Sequence, residues 1–241
     1  MATSMQLDYR LRWMDFDRYG RIQPCSVLDI FQDVATVQAA TMGMSNVDLD
    51  AKGVFWVVVR MKYEVVRQPE RLQVVKARTW PHTPSRYSFL RDYDMTDDQG
   101  NVLIKASSEW VILDKQTRSF AKIATIYDGS EELCEERVFE RKLRKIPAFE
   151  SDPSLTRVIV PAYSDCDQNG HVNKAKYANF AIDALEPDAA CAVRSFQIDY
   201  RHEVWPDVPL EIQMAKQDGQ VLAKGINADG DIAFVCAIEL A

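Results

Sequence analysis

Hydrophobic residues along the chain follow two periods, one typical of helices and one typical of strands. Apolar positions recur at helical spacing after Ser26 and again after Asn173, and Ser26 suits the N-cap of the first predicted helix. Runs rich in β-branched and aromatic residues predict strands over 74–80, 87–95, 102–113, 119–123, 210–216, 221–226 and 232–240. Each half of the chain therefore predicts one helix followed by an antiparallel sheet.

An internal repeat explains why this plan occurs twice. The segment WMDFDRYGRIQ at 13–23 aligns without a gap with YSDCDQNGHVN at 163–173, so that aromatic, Asp, Gly and amide positions coincide. A further match joins GNVLIK at 100–105 to GQVLAK at 219–224, and each lies at a predicted turn between strands. The repeat therefore extends over the whole chain.

A single helix in each half needs a curved sheet to bury its apolar face, which is the hot-dog arrangement of a sheet wrapped around a central helix. We therefore expect an α+β fold of two tandem hot-dog domains, over residues 1–127 and 157–241. The segment 128–156 between them changes composition and contains prolines, as linkers do. Within it, EELCEERVFERKLRK at 131–145 has acids first and bases last, which predicts a helix with charges that complement its dipole.

Composition and charge exclude several classes of protein. The 241 residues are 47% hydrophobic and 27% charged, which is typical of a globular chain, and the net charge of −7 argues against broad nucleic-acid binding. The longest apolar run, at 54–59, is too short to cross a bilayer, and residues 1–13 contain no apolar targeting segment. Five cysteines without a C-x-x-C pair favour neither a disulfide framework nor a zinc site. We expect a cytoplasmic protein without a membrane partner.

The two copies of the repeat differ at positions where chemistry is expected. Both retain aspartates, Asp15 and Asp17 in the first copy, which indicates a structural role in the turn. The second copy alone has an amide, an imidazole and a carboxylate at three further positions. The corresponding pairs are Tyr19 and Asn169, Arg21 and His171, and Val66 and Glu203. A single active site would belong to the second half, although drift between duplicates would also produce such differences.

Motifs in both halves resemble the acyl-acyl-carrier-protein thioesterases, a double hot-dog family of plant plastids and bacteria. These motifs lie at 56–61, 79–80, 91–92, 106–111, 117–118, 167–177 and 200–203. The most specific of them is a D-x-N-x-H-V-N core followed by Y-R-x-E. By this resemblance, the family's catalytic positions are Asp167, Asn169, His171 and Glu203. The resemblance implies hydrolysis of fatty acyl-acyl-carrier-protein thioesters in fatty acid biosynthesis, without a cofactor.

One departure from the family concerns the nucleophile. Plant members usually have a Cys directly after the catalytic Glu, and here that position is Val204. We therefore expect water to be activated without a Cys nucleophile, with Glu203 as general base, and we interpret Cys166 as a packing residue. Strand alternation sets Glu203 and Tyr200 on opposite faces of the sheet, with Glu203 on the solvated face. Glu203 would reach a site only if a bulge intervened or if this face met the helix loop of the other half.

The remaining motif residues would support this base. His171 and Asn169 are expected to position the water or the thioester, and Asp167 to orient its neighbours through hydrogen bonds. Backbone N–H groups around Gly170 and His171, at the start of the second helix, would bind the thioester carbonyl oxygen. The other histidines, His82 and His202, are expected in loop, packed or surface positions, and without clustered ligands no metal is expected.

The resemblance also implies a partner, the small acidic acyl-carrier protein. Basic residues at the end of the predicted linker helix would form a docking patch for it: Arg137, Arg141, Lys142, Arg144 and Lys145. A solvated linker is the alternative interpretation of these charges, and docking by Arg201 and Lys174 beside the motif is another.

Two other functions agree with the same residues. An acyl-coenzyme A thioesterase would use the same site on a different thioester carrier, and a non-enzymatic acyl-binding module would hold the acyl chain without turnover. By family analogy the first half is the non-catalytic copy and contributes to the acyl pocket. Both a monomer and a homodimer agree with two fused halves, and acyl chain length is not encoded in any residue that the pattern singles out.

Overall fold

The computed structural model describes residues 3–129, 133–217 and 219–241. The helices are α1 Pro24–Thr41, α2 Asn46–Ala51 and α3 Lys176–Leu185, with 3-10 turns at Trp13–Asp15, Ile123–Thr125 and Tyr163–Asp165. The strands are β1 Met5–Arg10, β2 Val54–Val65, β3 Val74–Pro81, β4 Ser88–Thr96, β5 Val102–Asp114, β6 Phe120–Ala121, β7 Asp152–Ile159, β8 Val193–Tyr200, β9 Leu210–Gln217, β10 Gln220–Ile226 and β11 Ile232–Leu240. The chain divides into two compact units, Met1–Trp13 with Asp29–Leu143, and Met14–Leu28 with Arg144–Ala241.

The first unit is an antiparallel sheet in the order β1-β3-β4-β5-β2, with the short β6 beside β5. Phe31 of α1 packs against Tyr93 of β4 with ring centroids 5.1 Å apart, and both side chains are fully buried. The Tyr93 hydroxyl lies 2.8 Å from Ser108 Oγ on β5, so its polar group is hydrogen-bonded in the core. This cluster fixes α1 on the inner face of the first sheet.

The second unit repeats the arrangement with an antiparallel sheet in the order β8-β11-β10-β9-β7. Helix α3 packs against β7, β9, β10 and β11. At the start of α3, the ring of Tyr177 contacts Tyr200 at 5.8 Å and Phe234 at 5.3 Å between centroids. These aromatic contacts hold the first turn of α3 beside the end of β8, where the predicted site residues lie.

Most elements predicted from the pattern are confirmed. Six of the seven predicted strands agree with the observed strands to within one residue at either end. The exception is 119–123, where β6 covers only Phe120–Ala121 and a 3-10 turn follows. The prediction of Ser26 as N-cap is wrong, because α1 begins at Pro24 and the Gln23 carbonyl accepts the Ser26 N–H at 3.0 Å. Proline suits this first turn because its missing N–H would have no helical partner.

The predicted helix at 131–145 is wrong over the described residues, since 133–145 contain no regular secondary structure. Hydrogen bonds from the first unit capture the backbone of this segment. Trp80 Nε1 donates to the Glu136 carbonyl at 2.8 Å, and the Val138 N–H donates to Asp92 Oδ2 at 3.1 Å. These bonds use backbone groups that a helix would need, and such tertiary contacts outweigh a helix-like order of charges. Residues 131 and 132 lie outside the described residues.

A buried His–Asp pair holds the same segment. His82 follows β3 in a loop, as predicted, but it is only 2% exposed, and its Nδ1 lies 2.9 Å from the Cys134 carbonyl oxygen. Its Nε2 lies 3.0 Å from Asp92 Oδ2. Both ring nitrogens of His82 therefore face oxygen acceptors, one of them on the segment that was predicted to be helical.

The rest of the predicted linker is shorter than expected. Strand β7 begins at Asp152 and so draws residues 152–156 into the second sheet. The first compact unit ends at Leu143, and Arg144 begins the main part of the second unit, which also includes Met14–Leu28. The basic side chains proposed for docking are all exposed: Arg137, Arg141, Lys142, Arg144 and Lys145.

Candidate active site

The motif of the second copy forms a tight turn stabilised by its own backbone. The Asp167 N–H donates to the His171 carbonyl at 2.9 Å, and the Gly170 N–H donates to the Asp167 carbonyl at 3.1 Å. Gly170 has φ of 82°, in the left-handed region that glycine adopts without strain. The turn therefore needs this glycine, and it presents the side chains on either side of it.

The carboxylate of Asp167 organises the turn. Its Oδ1 accepts the Asn169 N–H at 2.8 Å, while its Oδ2 lies 3.4 Å from Asn169 Nδ2 and 3.5 Å from His171 Nδ1. The His171 side chain is 19% exposed, and Asn169 is exposed. Three of the four predicted catalytic side chains are thus brought together, with Asp167 in the orienting position.

The Gly170 N–H, one of the groups predicted to bind the carbonyl oxygen, donates to the Asp167 carbonyl inside the turn. Binding of that oxygen by the N–H groups around Gly170 and His171 stays a prediction. The helix dipole is also further away than expected, since α3 begins at Lys176 and the Asn173 side chain accepts the Ala175 N–H before it at 3.0 Å. In the described part of the chain, the His171 N–H has no acceptor, whereas its counterpart in the first copy, the Arg21 N–H, donates to a carboxylate. The His171 amide is therefore available to a ligand oxygen.

Glu203 reaches this loop because β8 ends before it. The N–H groups of Arg201 and His202 both donate to the Ala233 carbonyl, at 2.8 and 3.0 Å, which is a bulge at the end of the strand. The alternation that would set Glu203 on the solvated face therefore does not continue to this residue. Beyond the bulge, the Val172 N–H donates to the Val204 carbonyl at 2.9 Å. This bond sets the segment that contains Glu203 beside the turn that contains His171.

Tyr177 holds the segment that contains Glu203 through hydrogen bonds to its backbone. The sequence analysis did not identify Tyr177 as a site residue. Its hydroxyl accepts the Val204 N–H at 2.8 Å and donates to the His202 carbonyl at 3.4 Å. Burial raises the pKa of Tyr177, and the carboxylates of Glu203 and Asp167 raise it further, so the hydroxyl keeps its proton at neutral pH. The Val204 side chain is buried, so the position where plant members have a Cys is a packing position here.

Lys174 is a second site residue that the sequence did not assign to chemistry. Its side chain is half-buried, and its Nζ lies 5.7 Å from the centroid of the Tyr200 ring. Burial lowers the pKa of Lys174 to about 8, and the negative charges of Glu203 and Asp167 limit the fall. An ammonium group therefore stands near both carboxylates of the site. The repeat could have indicated this residue, because Lys174 corresponds to Pro24 of the first copy and its charge therefore occurs only in the second copy.

Trp205 completes the cluster at its solvent side. Its ring meets the His171 ring edge-on, with centroids 6.1 Å apart, and 50% of the residue is exposed. The corresponding residue of the first copy is Gln68.

Desolvation, together with the negative charges of Asp165 and Asp167, raises the pKa of the Cys166 thiol. A raised pKa disfavours a thiolate nucleophile at this residue.

The first copy of the motif has the same turn but pairs its charges internally. Asp17 Oδ1 accepts the N–H groups of Tyr19 and Arg21, and Arg21 Nε donates to Asp17 Oδ2 at 2.8 Å. Although partial burial opposes it, these hydrogen bonds lower the pKa of Asp17. Arg21 Nη1 also donates to the carbonyls of Asp188 and Cys191, at 2.9 and 2.6 Å. Arg21 is thus occupied by protein groups where the second copy presents His171.

Solved structures with the same fold place this architecture in the hot-dog class. An acyl-ACP thioesterase from Bacteroides thetaiotaomicron superposes with a TM-score of 0.90 at 20% identity, covering 99% of this chain and 98% of that one. The 12:0-ACP thioesterase from Umbellularia californica gives 0.80 at 19% identity, covering 100% and 98%. The predicted α+β fold of two hot-dog copies is therefore confirmed.

The sequence defines the family within that class. Residues 3–129 match the acyl-ACP thioesterase N-terminal domain, and residues 150–236 match the acyl-ACP thioesterase C-terminal domain. The chain belongs to the acyl-ACP thioesterase family. It is 28% identical over 209 residues to the chloroplastic acyl-[acyl-carrier-protein] hydrolase FATB2 of Cuphea viscosissima, which covers 81% of this chain and 50% of the relative. The chain thus spans about half the length of the curated relatives it matches. No described helix has the length and apolar character of a membrane span.

Proposed function

We propose that the chain hydrolyses fatty acyl-acyl-carrier-protein thioesters to a free fatty acid and the carrier protein. The observation that carries the proposal is the backbone bond between Val172 and Val204, which sets the Glu203 segment beside the turn of Asp167 and His171. Family membership supports the same chemistry. The relatives whose names state this activity are twice as long as the matched segment, so the activity of this chain rests on the proposal.

Water is the nucleophile in the proposed reaction. Glu203 takes a proton from water as the water oxygen attacks the thioester carbonyl carbon, which forms a tetrahedral oxyanion. The intermediate collapses by breaking the C–S bond, and the proton held by Glu203 passes to the departing sulfur. The products are the fatty acid and the thiol of the carrier, and the carboxylate of Glu203 is regenerated.

The neighbouring groups would lower the barrier by position and charge. His171 and Asn169, oriented by Asp167, hold the attacking water and the thioester in line. The His171 N–H faces the carbonyl oxygen on which negative charge develops, and a preorganised donor of this kind is worth about 10²–10³ in rate. The ammonium of Lys174 adds positive charge to a half-buried site, where charges act more strongly than in water.

The first unit has a different role in this proposal. The first copy of the motif, at 13–23, is non-catalytic because Arg21 and Asp17 pair with each other. The first unit contributes to the pocket for the acyl chain. The exposed bases of the linker, among them Arg141 and Lys142, dock the acidic carrier protein. A cytoplasmic location and a monomeric or homodimeric state remain predictions from the sequence.

Thiol release from matched acyl-carrier-protein and acyl-coenzyme A thioesters, over several chain lengths, tests the proposal. We expect release from both carriers to depend on the same site, with the higher kcat/KM for the carrier protein. A preference for coenzyme A would replace the substrate by acyl-coenzyme A and remove the docking role of the basic residues. Tight acyl binding without any thiol release would make the chain an acyl-binding module.

A further inference from the structure

Trp205 is a large apolar side chain held half in water next to the reacting groups. It stands two residues after Glu203, and its ring meets the edge of His171. Half of its surface is exposed, whereas the preceding Val204 is 3% exposed. Leaving an indole in water forgoes the free energy that its burial would provide, and Trp at such half-wet positions is enriched where a surface binds a partner or ligand.

The backbone around Trp205 is fixed before any ligand binds. On one side, the Val204 N–H is held by the Tyr177 hydroxyl at 2.8 Å. On the other, the Asp207 N–H donates to the Pro161 carbonyl at 2.9 Å, and Asp207 has φ of 61°. A left-handed residue other than glycine persists only where its surroundings hold it in place. The backbone that carries the indole is therefore fixed beside His171.

Comparison of the two copies indicates that Trp205 is not needed to form the motif turn. In sequence, Gln68 aligns with Trp205, and the first copy folds the same motif turn at 13–23 without an aromatic residue at that aligned position. Trp205 instead accompanies the groups that occur only in the second copy, His171 and Glu203. An aromatic residue that appears together with the reactive groups is explained by the ligand of those groups.

We infer that Trp205 binds the pantetheine arm of the thioester substrate, directly beyond the sulfur; this rests on the function proposed above. The arm is a narrow chain of methylene and amide groups, and the thioester at its end must lie against His171 and Glu203 for reaction. The part of the arm next to the sulfur then leaves the site past the indole, whose face packs on methylene and amide groups. Carrier protein and coenzyme A share this chemistry, so Trp205 contributes equally to both.

Thioesters of one acyl chain on three thiols test this assignment: pantetheine, N-acetylcysteamine and ethanethiol. Trp205→Ala should lower kcat/KM for acyl-pantetheine about 10-fold, within the range expected for one aromatic contact, and change the ethanethiol ester less than about twofold. Trp205→Gln, which restores the residue of the first copy, should behave in the same way, and Trp205→Phe should retain most of the activity. N-Acetylcysteamine, which keeps one amide, should give an intermediate loss.

The control is Trp13→Ala, which removes another exposed indole, 63% exposed and stacked on Arg71, and should leave all three esters unchanged. Acyl-carrier-protein and acyl-coenzyme A esters assayed in parallel should lose activity by the same factor in Trp205→Ala. An equal loss on pantetheine and ethanethiol esters would overturn the assignment, because Trp205 would then act on His171 and not on the arm. A wild-type protein that cleaves no ester would overturn the proposed function, and this assignment with it.

Discussion

The backbone N–H of Val172 donates to the carbonyl of Val204 at 2.9 Å, and this bond joins the two segments that carry the predicted site. His171 and Glu203 lie immediately before these valines, on a turn and on a bulged strand end that are far apart in sequence. The bond depends on the bulge at Arg201 and His202, which ends β8 before Glu203. Sequence alternation alone would have directed Glu203 to the opposite face.

The charge of Lys174 should govern the alkaline limb of the pH profile. Its pKa is lowered to about 8, so its ammonium is present below that pH and is lost as pH rises through 8. We expect kcat/KM to fall there, because the developing oxyanion loses a nearby positive charge. Lys174→Met should lower the plateau about 10-fold and remove the limb near pH 8. Lys174→Arg, which stays charged, should also remove the limb while keeping most of the plateau. Profiles measured from pH 6 to 9.5 check this, and a limb near pH 8 that persists in Lys174→Met would contradict it.

Tyr177→Phe should loosen the Glu203 segment. The change removes the acceptor of the buried Val204 N–H, which costs about 1–3 kcal/mol in the free energy of unfolding. We expect kcat to fall about 10-fold or more as well, since small displacements of a reacting group are costly in rate. Urea unfolding and thiol release measure the two effects.

A matched control separates stability from positioning in that experiment. Tyr93→Phe removes another buried hydroxyl, the one that pairs with Ser108 in the first unit, and should cost similar stability with kcat unchanged. If Tyr93→Phe lowered kcat as much as Tyr177→Phe does, loss of stability would be the explanation and the positioning role of Tyr177 would be abandoned.

Arg21 should contribute stability and no catalysis. Arg21→Met removes its ion pair with Asp17 and its bonds to the Asp188 and Cys191 carbonyls, and should cost about 1 kcal/mol or more in the free energy of unfolding at pH 7. The folded-state pKa of Asp17 is lowered, so this stabilisation is present above about pH 4, the unfolded value, and is lost as pH falls through the lowered pKa. Unfolding of wild type and variant at pH 7 and at pH 3 measures it; a difference that grows at low pH would contradict the pairing. The kcat of the variant should equal that of wild type.

Reversal of two exposed charges tests carrier docking. Arg141→Glu with Lys142→Glu should raise KM for acyl-carrier protein several-fold with kcat nearly unchanged, because exposed charges act on encounter more than on chemistry. The effect should weaken with added salt, as expected of screened surface charges. Acyl-pantetheine, which has no protein carrier, should show no change. An unaltered KM for the carrier-protein substrate would remove these residues from the docking surface.

The sequence contained most of the fold and part of the site. Alternation located the strands because the sheets bury one face, and the repeat located the turn of Asp167. The helix predicted at 131–145 failed because Trp80 and Asp92, remote in sequence, bind its backbone. Lys174 was not assigned to chemistry because a loop lysine is usually a surface residue. Its counterpart in the first copy is Pro24, so the charge occurs only in the copy with the reactive groups.

The sequence could not locate the bulge after β8, and the reason is physical. Its position depends on the Ala233 carbonyl, which accepts two N–H groups across the sheet, and no local pattern marks that pairing. The first copy has a similar bulge, in which the Val66 and Arg67 N–H groups both donate to the Leu103 carbonyl, at 2.8 and 3.1 Å. The two bulges do not fall on aligned residues, so the repeat did not reveal them.

The most direct test of a single water-activating site in the second copy is kcat for Glu203→Gln with an acyl-carrier-protein thioester. Glu239→Gln, an exposed glutamate on β11, provides the matched control. Loss of a general base lowers the rate about 10²–10⁴-fold, so we predict a fall in this range for Glu203→Gln and wild-type activity for Glu239→Gln, with both variants folded by circular dichroism. A Glu203→Gln protein that keeps kcat within a few-fold of wild type would contradict the assignment of Glu203 as the base.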